Sequence, residues 1–205
     1  MVGRVIACAV HDLLRIDARA LDDDTTLPAW ARASFARTPW VVVRRADAGD
    51  TIPVGMRGTT RAERHGTRVS AQCVREVVTP VSLVARLAAG GIARPIDRAA
   101  CALRDAARDA GLTLGLGGSY GFELATGTVV THAASDIDAI VRVTDRAVLR
   151  AFATRCAAIE TTTGVRIDVE VALPRGGAAL HDAIGTSKTL IVKTSAGPVL
   201  VPCLP

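Results

Sequence analysis

Apolar positions recur along the second half of the chain with two periods, and the alternation between those periods sets the order of elements. Ala100, Leu103, Ala107 and Ala110 fall on one helical face, with Asp97 read as the N-cap and Gly111 as the stop. Residues 112–116 form a short apolar run that enters Gly117-Gly118-Ser119 and predicts a buried strand followed by a loop. Residues 136–143 and 166–173 alternate apolar with polar and predict two further strands. Between them, Val148, Phe152, Cys156 and Ile159 stack at helical spacing over 145–162. Residues 189–201 predict a hairpin closed around Ser195-Ala196-Gly197. The first half predicts a helix at 28–36, strands at 40–44 and 52–56, a basic stretch at 57–68 and a helix at 81–89 ended by Gly90-Gly91. The class is α/β (α+β): a mixed sheet with flanking helices over 95–205, a linker or helix at 81–94, and a smaller N-terminal α+β domain over 1–80.

Composition narrows what such a fold can do. Apolar residues are 49% and charged residues 22% of 205, so both domains can bury cores and neither reads as disordered. The most apolar run, 77–93, is broken by Arg86 and a glycine pair, and no membrane span is expected. Arg4, His11 and Asp12 interrupt the N-terminus where a signal peptide would be apolar, so a cytoplasmic location is expected. Cys8, Cys73, Cys101, Cys156 and Cys203 are scattered without a C-x-x-C pair, which argues against a zinc site or a disulfide framework. The net charge of +5 favours anionic partners. Scattered arginines with neither an aromatic-rich strand nor a recognition helix argue against nucleic acid.

The candidate chemistry sits on the predicted strands. Successive strand residues alternate faces, so Asp136 and Asp138 share one side while Ile137, Ala139 and Val141 fill the other. Asp168 repeats the scheme one strand later, with Glu170 on the same face as an alternative third acid. Pairing of the two strands would gather three carboxylates, which repel unless a cation lies among them, and hard oxygen ligands suit Mg2+ or Mn2+. Gly117, Gly118 and Ser119 offer backbone N–H groups and a hydroxyl to phosphate oxygens. Ser135, which opens the acidic motif, joins them as a candidate donor-binding residue. Arg57 and Arg61, with Arg64 and His65 nearby, form a basic cluster suited to phosphates or an acidic protein face, and Lys193 in the tail hairpin is a further phosphate candidate. His11, His132 and His181 lack the companions of a metal triad or a Ser-His-Asp set and read as structural, and Trp30 and Trp40 as packing residues.

Gly-Ser, then a hydrophobic-flanked Asp-x-Asp, then a later Asp resembles the nucleotidyltransferase superfamily and implies a nucleotidyltransferase-like sheet. A closer resemblance spans nearly the whole chain. His11-Asp12-Leu13-Leu14, Pro39-Trp40-Val41-Val42-Val43-Arg44-Arg45, Ile52-Pro53-Val54-Gly55-Met56-Arg57-Gly58, Ser135-Asp136-Ile137-Asp138 and Val192-Lys193-Thr194 are similar to the malonate decarboxylase holo-acyl-carrier-protein synthases, or phosphoribosyl-dephospho-CoA transferases. That resemblance implies transfer of phosphoribosyl-dephospho-CoA from its triphosphoribosyl precursor to a serine of the apo acyl-carrier subunit of malonate decarboxylase. It further implies Asp136 and Asp138 as metal ligands and Gly118-Ser119 on the triphosphate. Asp168 would ligate one metal and help to deprotonate the serine. The alternatives are transfer from a simple nucleoside triphosphate, or a basic binding module without catalysis.

Overall fold

The computed structural model describes residues 7–47, 49–58, 62–88, 93–143 and 145–204. The chain divides into two compact units, Met1–Thr79 and Pro80–Pro205.

Among the described residues, the first unit is an antiparallel sheet with one α-helix. Its strands are β1 (Leu13–Ile16), β2 (Trp40–Val43), β3 (Ile52–Arg57), β4 (Arg64–Val69) and β5 (Val74–Val78), in the order β4-β3-β2-β1-β5, and its α-helix is α1 (Ala29–Arg37). Val41 and Val43 alternate with half-buried Trp40 and Val42, so one face of β2 enters a core with Leu14, Ile16, Phe35, Val54 and Met56. The basic stretch at 57–68 is in part a strand. Arg64, Gly66 and Arg68 face out while Val69 is buried, an alternation that two arginines and a histidine in six residues conceal.

The second unit holds the remaining elements. They are α2 (Pro80–Val84), α3 (Pro95–Asp109), β6 (Thr113–Leu116), α4 (Gly118–Thr126), β7 (Ile137–Arg142), α5 (Arg146–Thr163), β8 (Ile167–Leu173), β9 (Gly176–Ala179), α6 (Leu180–Ile184), β10 (Thr189–Thr194) and β11 (Gly197–Pro202). The six strands run β11-β10-β9-β8-β7-β6, and β7 and β8 pair in parallel. A parallel pair needs a long crossover, which α5 supplies. Leu116, Ile137, Ala139, Val141, Val169 and Val171 are all buried, and α5 docks through Glu160, whose carboxylate accepts the Ile167 N–H at 2.6 Å.

Two sequence expectations change. Asp97 is not the N-cap of α3: Pro95, with its fixed φ and no N–H, starts the helix, so Arg94 is the N-cap and Asp97 stands in the first turn, accepting the Arg94 N–H at 3.0 Å. The stretch after Gly117 is not a loop at first but helix α4, closed by Gly127 in the left-handed conformation. Helix α2 begins at Pro80 and tightens into a 3-10 turn at Ala85–Ala88, while Gly90-Gly91 lies outside the described residues. No helix among the described residues is long and apolar enough to cross a membrane.

Candidate active site

The acidic motif and the glycines meet because β6 and β7 are antiparallel neighbours. Leu116 pairs with Ala139, so the chain leaving β6 passes directly beside Asp138, and the Gly117 N–H donates to the Asp138 carbonyl at 2.8 Å. Gly118 follows at φ +58°, a conformation that favours glycine. A Cβ there would fall 1.6 Å from Asp138 Oδ2, so the carboxylate fills the space that any side chain would need. From this point α4 departs. Its N-cap is Gly117, which has no side chain to cap the helix, so α4 starts beside the acid without a side-chain cap from that residue.

The parallel register sets Asp138 opposite Asp168 on β8, on strands about 4.8 Å apart. Asp138 is half-buried and Asp168 exposed. Asp136 lies one residue before β7, and its carboxylate receives the Arg166 guanidinium from the matching place before β8. Hydrogen bonding to Asp136 raises the Arg166 pKa above its ordinary value, and the charges of Asp136, Asp168 and Asp138 add to the shift. All three sequence-predicted acids therefore act on one cation. Asp136 is turned to Arg166, and the described residues contain no group of three His, Cys, Asp or Glu side chains placed to hold a metal. The donor set is all carboxylate, which suits Mg2+ or Mn2+, and Asp138 and Asp168 already lie side by side. Asp136 would join them once Arg166 releases it.

Glu170 leans the other way: its Oε1 lies 2.2 Å from where a Cβ on Gly177 would be, toward β9. Ser135 is engaged in a turn, its Oγ accepting the His132 N–H at 3.0 Å, and His132 Nδ1 accepts from Ala134 at 3.2 Å. Lys193 pairs with Gly177, itself opposite Ala172. That is two strands over and four residues along from Asp168, roughly 16 Å by standard strand spacings. Arg57 belongs to the first unit, and Arg61 lies outside the described residues.

Sequence reading missed Arg166, whose only signal is that Arg-x-Asp repeats the spacing of Asp136-x-Asp138 on the paired strand. It also missed a network in which half-buried Arg94 joins the buried carboxylates of Asp97 and Glu123. Arg94 bonds Asp97 at 2.8 Å and Glu123 at 2.5 Å, and Tyr120 donates its hydroxyl to Asp97 at 3.1 Å. Glu123 accepts the Val130 and Thr131 N–H groups at 3.2 and 3.1 Å and the Thr131 hydroxyl at 2.7 Å. Burial alone would raise both carboxyls, but Arg94 and the other donors hold Asp97 and Glu123 below their ordinary values. The network ties α3 and α4 to the segment that delivers Asp136.

Comparison with known proteins addresses both units. The N-terminal domain of phosphoribosyl-dephospho-CoA transferase MdcG matches residues 9–80, and the C-terminal domain of the same family matches 82–203. A phosphoribosyl-dephospho-CoA transferase of Pseudomonas putida (strain W619) is 36% identical, covering 93% of this chain and 92% of its own. Proteins of the same name from Azotobacter vinelandii and Klebsiella pneumoniae (strain 342) are each 34% identical, covering 93% and 91% of this chain and 91% of their own. No solved structure matches. The chain is a transferase, and it is a member of the phosphoribosyl-dephospho-CoA transferase MdcG family.

Proposed function

We propose that this protein transfers phosphoribosyl-dephospho-CoA from 2'-(5''-triphosphoribosyl)-3'-dephospho-CoA to a serine of the apo acyl-carrier subunit of malonate decarboxylase, in the cytoplasm, with Mg2+ or Mn2+. Family membership over both units supports the donor. The observation that carries the chemistry is Gly118 packed against the Asp138 carboxylate, which joins a phosphate-binding helix start to the acids in one unit.

In this reading the serine oxygen attacks the phosphorus nearest the ribose. The new bond is Ser–O–P, the bond to pyrophosphate breaks, and the serine proton must be removed. The first N–H groups of α4 and the Ser119 hydroxyl hold the polyphosphate. Asp168, exposed on β8, faces the incoming acceptor and helps to take the proton, while Asp136 and Asp138 complete the ligand set. The metal, when bound, supplies positive charge to the phosphates. Such transfers depend mainly on positioning and charge neutralisation.

The test is to incubate the protein with apo carrier, triphosphoribosyl donor and Mg2+, and to weigh the carrier. One phosphoribosyl-dephospho-CoA per carrier is expected. An unmodified carrier would overturn the reading, and equal use of ATP or CTP would assign a simpler nucleotidyltransferase.

A further inference from the structure

The first unit carries an arginine arrangement that the transfer chemistry does not use. Register places Arg57 directly opposite Arg64 at the end of the β3–β4 ladder, and both are exposed. Side chains so paired stand about 5 Å apart at Cβ, and like charges in that position destabilise a sheet. The next pair on the same face, two residues along, is Gly55 opposite Gly66. Across these two glycines lies Arg44, which follows β2. A Cβ on Gly55 would meet Arg44 Cδ at 2.9 Å, and one on Gly66 would fall 1.7 Å from Arg44 Nη1. The absence of side chains at both glycines is what lets this guanidinium lie flat on the sheet.

Three guanidinium groups thus share one face within about two strand repeats. Elsewhere in the same sheet arginines have partners: Arg15 bonds Glu76, Arg75 bonds Asp17, and Arg68 bonds the Asp47 and Thr51 backbone oxygens. Among the described residues, none pairs with Arg44, Arg57 or Arg64. His65 stands on the opposite face, 3.7 Å from Asp24, and so leaves the basic cluster in which sequence reading grouped it. The structure also explains two motif segments. Pro39 to Arg45 contributes Arg44, and Ile52 to Gly58 contributes Gly55 and Arg57.

We propose that Arg44, Arg57 and Arg64, over the Gly55–Gly66 floor, form a diphosphate-binding face. Planar guanidinium forks suit phosphate oxygens in bidentate pairs, and a compact trio over a flat floor matches a small, doubly charged group better than a broad acidic protein surface. Under the transferase reading, on which the ligand's identity rests, the diphosphate is that of the dephospho-CoA part of the donor.

Titration of the intact protein with 3'-dephospho-CoA, without metal, tests this directly. Arg44→Ala and Arg64→Ala are each expected to weaken binding about tenfold or more. Gly66→Ala keeps every charge but takes the seat of Arg44, and is expected to weaken binding at least threefold with the fold intact by circular dichroism. Gly118→Val, in the other unit, should leave this affinity unchanged. Affinity that is unaltered by all three first-unit substitutions overturns the proposal. So does a rise in the KM for apo carrier with dephospho-CoA binding intact, which would assign the face to the acidic protein. Should either arginine variant fail to fold, Arg57→Gln at the exposed strand end decides by the same titration. Failure of carrier modification alongside arginine-dependent dephospho-CoA binding would overturn the proposed function and leave this site standing.

Discussion

Replacing Gly118 by alanine should separate the acid-and-glycine junction from the fold that carries it. The new methyl group would lie 1.6 Å from Asp138 Oδ2 and 2.5 Å from Cγ, so the carboxylate must rotate away. Asp138 Cβ, 2.9 Å from the same position, does not move with that rotation, so the backbone must also give by a small amount. Holding a non-glycine residue at φ +58° adds strain of about 1–2 kcal/mol. Gly111→Ala isolates that strain, since Gly111 sits at φ +67° with nothing within 4 Å of its Cβ position. Both variants should therefore melt a few degrees below the parent, by about 2–8 °C. Only Gly118→Ala should lose transfer. Displacing one of the carboxylates that would hold the metal at the phosphates costs about 3 kcal/mol, or roughly a hundredfold in rate. The assay is single-turnover modification of apo carrier at saturating donor, followed by intact mass. If Gly118→Ala stays within about threefold of the parent rate, Asp138 is not at the reacting centre.

Three further outcomes follow from the same geometry. Asp138→Asn or Asp168→Asn should slow single-turnover transfer by roughly a thousandfold without lowering Tm, because each removes charge rather than packing; a well-folded Asp138→Asn variant at normal rate would refute the metal reading. Arg166→Ala frees Asp136 and removes a cation from three acids, so Mn2+ affinity measured by electron paramagnetic resonance should tighten about tenfold, and unchanged or weaker binding would refute the competition. Asp97 and Glu123 have folded values below 3.8 and 4.5, so their contribution to stability is complete above those ordinary values and lost as pH falls through the lowered folded ones; Arg94→Met with Glu123→Met should flatten Tm against pH below about 4.5, and an unchanged slope would remove the network from acid unfolding.

Much of the second unit was legible because its elements announce themselves with one period each. Residues 145–162 read as a helix, and α5 runs Arg146–Thr163 with Asp145 as its cap; residues 189–201 read as a hairpin, and β10 and β11 pair from Thr189 opposite Pro202 to Thr194 opposite Gly197. Elements that lack a clean period were missed. β9 is Gly-Gly-Ala-Ala, small residues with no alternation of polarity, and it is a strand only because β8 and β10 flank it. β1 and β5 complete the first sheet through pairing with each other, which no local window contains.

The site divides along the same line. That Asp136 and Asp138 share a face follows from a period of two, and Asp168 repeats the rule. Whether those faces meet depends on the register between β7 and β8, and a slip of one residue would have turned Asp168 into the core. The glycines posed the opposite problem, since Gly117-Gly118-Ser119 stood out in the sequence as a candidate for close backbone approach while the group it packs against did not. Only the antiparallel pairing of β6 with β7 brings Gly118 against Asp138 rather than Asp136. Arg166 was hidden by both effects. It precedes its strand as Asp136 precedes β7, so its position is fixed by register, and its charge reads as surface decoration until it is seen bonded to Asp136 within the field of Asp168 and Asp138. With its guanidinium on Asp136 and the charges of Asp138 and Asp168 acting on it, Arg166 offsets the repulsion among the three acids.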